Sequence, residues 1–177
     1  MSEQGVSVLS RPVRRFVINT GRPFDQFRKQ WERAVPAWSW GTAVAEAKGG
    51  GGWAAVENLS DRTAGNGLVN ISTFDPGQVM RLAGHELRAV TYLADNVVLG
   101  EALYRHDPAV IEYLPVRLTI SELPGGDDST LTFDKPCDLF GGYAVPELVK
   151  AAREVEQAVA NALHAVSLPI PAELEAD

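Results

Sequence analysis

Val116-Arg117-Leu118-Thr119-Ile120-Ser121, then Pro124-Gly125-Gly126-Asp127-Asp128, then Leu131-Thr132-Phe133-Asp134 set the architecture of this chain. Apolar and polar residues alternate on both sides of the Gly-Asp cluster, which is the period-two pattern of strands with one buried and one wet face. Gly125 and Gly126 can take the positive φ that a tight reversal needs, and the adjacent aspartates stay solvated. Pro115 and Pro136 cannot donate to a ladder, so they bound the two strands. The stretch is an antiparallel hairpin.

Outward from it, other elements fall into place. Val13 to Thr20 reads as a first strand with Phe16 and Ile18 inward. Pro23 suits a first helical turn, Phe24, Phe27, Trp31 and Ala34 or Val35 follow at helical spacing, and Pro36 stops the run. Leu68 to Phe74 reads as a strand, Asp75-Pro76 opens a short helix through Val79, Met80 and Leu82 that Gly84 closes, and Leu87 to Ala94 reads as an interior strand. Val97 to Tyr104 is a helix. A long helix follows Pro146, with Val145, Leu148, Val149, Ala152, Val155, Val159, Leu163 and Val166 on one apolar stripe that covers either the sheet or a partner subunit. Between Ala37 and Gly67, Trp38, Trp40 and Trp53 surround Lys48-Gly49-Gly50-Gly51-Gly52, and a mobile loop between short strands is expected there. The pattern predicts an α/β fold of the α+β type, a single mainly antiparallel sheet with helices packed on it. Residues 1–11 form a loose leader, 12–166 one globular domain and 167–177 a flexible acidic tail.

The length of 177 residues fits a single domain able to bury a sizeable core. A formal net charge of −7 with scattered basic residues argues against a nucleic-acid partner. No signal-peptide pattern and no apolar run of about 18 residues is present, so neither secretion nor a membrane is implied and a cytoplasmic protein is expected. Cys137, the sole cysteine, cannot form an internal disulfide, which fits a reducing compartment.

Tyr92-Leu93-Ala94-Asp95-Asn96, Tyr104-Arg105-His106-Asp107-Pro108, Tyr113-Leu114-Pro115-Val116-Arg117 and Phe133-Asp134-Lys135-Pro136 stand in an order and spacing that resembles the bacterial family DUF302, a domain of unknown function. Gly21-Arg22-Pro23-Phe24-Asp25, with Glu32 and Val35-Pro36, is similar to the first helix of its longer, actinobacterial-type members. The resemblance covers about residues 12 to 165. It departs at Asp95, where the family usually has glycine. The resemblance implies a small α/β fold with one antiparallel sheet, commonly a homodimer, and no established activity.

Chemistry-bearing residues are few. His85-Glu86 starts like a zinc-protease motif, but Ala89 stands where the second ligand belongs, so no metal site is expected. The glycine run lacks the Gly-Lys-Ser/Thr ending of a phosphate-binding loop, and no cofactor is implied. Cys137 reads either as a small buried hydrophobe or as a nucleophile. His106 could move a proton near neutral pH, oriented by Asp134, with Tyr104, Arg105 and Lys135 to hold an anionic ligand; equally, Asp107 caps and Pro108 opens a helical turn that His106 merely precedes. Trp40 and Trp53 could close over an apolar ligand or serve as core residues. Three functions remain open. They are a small-molecule-binding protein with its pocket near the sheet and the Trp/Gly-rich segment, a cofactor-free acid–base enzyme (isomerase, lyase or cyclase) using His106, and a structural or protein-interaction module.

Overall fold

Strands Arg15–Pro23 (β1), Val69–Phe74 (β2), Ala89–Asp95 (β3), Val116–Glu122 (β4) and Asp128–Asp134 (β5) form one antiparallel sheet in the order β1-β5-β4-β3-β2. The structure, a computed structural model, describes residues 8, 10–140 and 146–175. The hairpin pairs Leu118 with Phe133 and Ile120 with Leu131, and Gly125 turns it with a φ of +74°. Alternation then sorts the sheet into two faces. Val116, Leu118, Ile120, Leu131, Phe133, Val90, Tyr92 and Ala94 are buried in the main core. Arg15, Val17, Asn19 and Arg117 are exposed, and Thr91, Thr119 and Thr132 half-buried, on the face turned away from it. Hydroxyls pair across that face, Thr91 Oγ1 with Thr119 Oγ1 at 2.9 Å and Ser121 Oγ with Thr130 Oγ1 at 3.0 Å.

Helix Phe24–Ala34 (α1) buries Phe24, Phe27 and Trp31 as their spacing requires. The segment expected to be a mobile loop between strands is helical: Trp40–Glu46 (α2) and Gly52–Thr63 (α3) are joined through Ala47–Gly51, a π-helical turn in which Gly50 has a φ of +108°. Ser39 caps α2 by accepting from the Thr42 N–H, and Trp38, Ala43, Val56, Leu59, Val69 and Val97 build a second apolar cluster. That burial outweighs the entropy of ordering the glycines, whose positive φ makes the turn between the two helices. Helices Gly77–Leu82 (α4), Val97–Tyr104 (α5) and Pro136–Phe140 (α6) follow, with Asn96 capping α5 from Oδ1 to the N–H groups of Val98 and Leu99.

Helix Pro146–Ala165 (α7) resolves the open question about its stripe. Leu148, Ala152, Val155, Val159 and Leu163 all lie in the main core, so the stripe covers the sheet, while Val149 stays 39% exposed and Val145 falls outside the described residues. In the stretch expected to be a flexible tail, Leu168 and Leu174 are buried in the same core and Ala172–Glu175 forms a short helix (α8). No helix among the described residues is long and apolar enough to cross a membrane.

Candidate functional site

At the β4–β5 end of the sheet face turned away from the main core, which no helix among the described residues covers, lies a cleft of 620 Å³, within the roughly 300–1,000 Å³ of small-molecule sites. Thr119 and Thr132, cross-strand partners, form its floor. Arg15, Arg117 and Asp134 stand along it, and Glu112, Tyr113, Pro115 and Leu139 line it from the preceding 3₁₀ turn (Pro108–Glu112), the link to β4, and α6. Strand alternation places these groups: Arg15, Thr132, Asp134, Arg117 and Thr119 are the residues that the hairpin and β1 turn away from the core.

The charges in this cleft are not all matched. Arg15 and Asp134 face each other in register and pair through two hydrogen bonds, Nε to Oδ1 at 2.7 Å and Nη2 to Oδ2 at 3.0 Å. The Asp134 carboxylate holds the Arg15 guanidinium above its ordinary range. Arg117 sits opposite Leu93 on β3, and its side chain makes no hydrogen bond or ion pair among the described residues; nor does that of Glu112. Tyr113 packs edge-on to Phe140 at 6.1 Å and under the Arg11 guanidinium at 4.5 Å. The wall it forms is therefore held in place.

Of the candidate site residues His106, Asp134, Tyr104, Arg105, Lys135, Trp40 and Trp53, Asp134 alone lines this cleft. His106 is exposed at the end of α5, and no described residue bonds its imidazole; Asp134 is partnered by Arg15, not by His106. Asp107 Oδ1 accepts from the Ala109 N–H with Pro108 in the first turn, which is the turn-starting arrangement. Arg105 pairs with Glu101 one helical turn back, and Tyr104 is 49% exposed. Trp40 and Trp53 lie on α2 and α3, exposed, with Trp40 edge-on to the buried Trp38 at 6.0 Å.

Lys135 points the other way from Asp134. Its ammonium is buried, 3.4 Å from Glu156 Oε2 on α7, and donates to the Glu173 carbonyl of α8. Glu156 Oε1 also accepts from the Cys137 N–H at 2.8 Å. Burial, together with Glu156, pushes the Cys137 thiol up to about 12, so the side chain is a protonated, small packing group. Asp95, the departure from the family pattern, ends β3 with Oδ1 buried and without a hydrogen-bond partner, and burial pushes its carboxyl up to about 7. Among the described residues, no three His, Cys, Asp or Glu side chains converge as a metal site would need.

Sequence reasoning missed Arg117, Thr119, Thr132 and Glu112. Their individual types carry no signal. What marks them is the sheet order: Asp134 stands on β5 between Arg15 on β1 and, one step beyond the Leu118–Phe133 pair, Arg117 on β4, and its carboxylate pairs with Arg15.

Comparison with known proteins adds the family. A family model described as "Domain of unknown function DUF302" matches residues 53–166. A crystal structure of an uncharacterized conserved DUF302 protein from Bacillus stearothermophilus is similar at a TM-score of 0.59 and 14% identity, over 86% of this chain and 97% of that one. That likeness shows the fold. No curated protein matches this chain.

Proposed function

We propose that this chain, which belongs to the DUF302 family, is a small-molecule-binding protein whose site is the cleft on the sheet face turned away from the main core, around Thr119, Thr132 and the Arg15–Asp134 pair. One observation carries the reading: a cleft of ligand size in which hydroxyls, charged groups and apolar walls converge on rigid strands. Such sites fix a ligand by a few placed polar groups against a mostly preformed wall. The acid–base reading draws less support, because Asp134 is engaged by Arg15 and His106 stands outside the cleft.

The same protein self-associates in this reading. Phe74, Val79, Leu82 and Leu87, near the edge strand β2, are 67%, 63%, 89% and 50% exposed. A run of large apolar side chains on one short segment is the kind of surface that a second copy covers.

The test is protein-detected NMR with a set of small aromatic and aliphatic fragments on the wild-type protein and on Thr132→Trp. The tryptophan fills the cleft from a solvent-facing strand position and leaves the core intact. Fragment-induced shifts at Val116–Thr119 and Thr132–Asp134 that vanish in the variant are expected. Shifts that persist in Thr132→Trp, or their absence in the wild-type protein, overturn the reading.

A further inference from the structure

Resting on that reading, we infer that the ligand is a small zwitterion carrying both a carboxylate and an ammonium group, with Arg117 receiving the first and Glu112 the second. The cleft holds four ionised side chains, two of each sign. Arg15 and Asp134 neutralise each other through a two-bond contact. The remaining cation and anion, Arg117 and Glu112, have no partner among the described residues and no contact with each other within ion-pair distance.

A ligand with one charge would leave the other side chain unmatched as water is displaced. An anion would satisfy Arg117 and bring Glu112 under like-charge repulsion; a cation would do the reverse. A zwitterion leaves no charge in the cleft without a counter-charge, which is the arrangement that limits desolvation loss. Guanidinium suits the carboxylate end because its planar fork donates two parallel hydrogen bonds. Thr119 and Thr132 on the floor can donate or accept, and Tyr113, Pro115 and Leu139 offer an apolar wall for the carbon skeleton.

Four six-carbon probes separate the alternatives: L-norleucine and 6-aminohexanoate, zwitterions with charges close together or far apart, and hexanoate and hexylammonium with one charge each. Titration followed by NMR shifts at Arg117, Thr119 and Thr132 gives each affinity. At least one zwitterion is expected to bind about tenfold or more tightly than either singly charged probe, one charge-assisted contact accounting for that factor. Arg117→Gln lowers its affinity to that of hexylammonium, and Glu112→Gln to that of hexanoate, with melting temperatures unchanged because both side chains are exposed. Hexanoate or hexylammonium binding as tightly as both zwitterions, or Glu112→Gln leaving zwitterion affinity intact, overturns the inference while the binding reading stands. No shift in the cleft with these four probes overturns the inference; if the uncharged fragments also fail, the binding reading falls with it.

Discussion

Lys135→Met should cost about 3–5 kcal/mol of stability, a large share of the roughly 5–15 kcal/mol that holds a domain together. Both members of the Lys135–Glu156 pair are almost wholly buried, with side chains 6% and 5% exposed and charged atoms 3.4 Å apart. Removing the ammonium leaves the Glu156 carboxylate in the core with the Cys137 N–H as its remaining hydrogen-bond donor among the described residues, and deletes the link from the end of β5 to the Glu173 carbonyl of α8. Glu156→Leu leaves the opposite charge stranded and should cost a similar amount. The double variant strands neither charge. Its cost reduces to the Cys137 N–H and the Glu173 carbonyl that lose their partners, about 1–3 kcal/mol, so it should be more stable than at least one single variant. Equilibrium urea unfolding of the four proteins, with a common slope, closes the cycle and should give a coupling of about 3 kcal/mol or more. Additive single effects, or single effects within about 0.5 kcal/mol of wild type, would refute the claim that this pair clasps β5, α6, α7 and α8 together.

Other expectations follow from the same geometry. Asp95, its carboxyl raised to about 7 by burial, holds a proton in the folded state that the unfolded chain releases above about pH 4, so its contribution is complete below pH 4 and lost as pH rises towards 7. Asp95→Asn should therefore match wild type near pH 4 and exceed it at pH 8, by up to about 4 kcal/mol; a pH-independent difference in unfolding free energy would count against this. His106→Ala, at an exposed imidazole that no described residue bonds, should shift stability by less than about 0.5 kcal/mol and leave fragment binding in the cleft unchanged; loss of either would restore a role for His106. Light scattering at micromolar concentration should give twice the monomer mass, and Phe74→Ser with Leu82→Ser should return it to the monomer; a monomeric wild-type protein removes the dimer reading.

How far the sequence was readable depends on which physics decided each part. The β4–β5 hairpin and α1 were legible because burial alone, at periods of two and 3.6, chose their residues. The α2–α3 segment was not: its glycine run favours disorder locally, and a tertiary cluster around Trp38 overrides it. The spacing of Val56, Leu59 and Ser60, and the Ser39 cap, were the available helical signs. Glu156 was also marked, four residues after Ala152 and three before Val159 on the buried stripe of α7, and a carboxylate there needs a buried partner. Asp134 entered the site from its strand-end position. Arg117, Thr119 and Thr132 could not, since polar residues on an exposed strand face are ordinary until the sheet order shows which of them meet and which charge is left over.

Crystals of the protein soaked with the fragments that bind in solution test the central claim most directly. Density for a fragment on the Thr119–Thr132 floor, within hydrogen-bond reach of Arg117 or of the Arg15–Asp134 pair, is the result expected from the cleft's position and lining. Density that instead lies along the outer face of α7 at Val149 and Lys150, or beside Trp40 and Trp53, with the cleft filled by solvent, would contradict it.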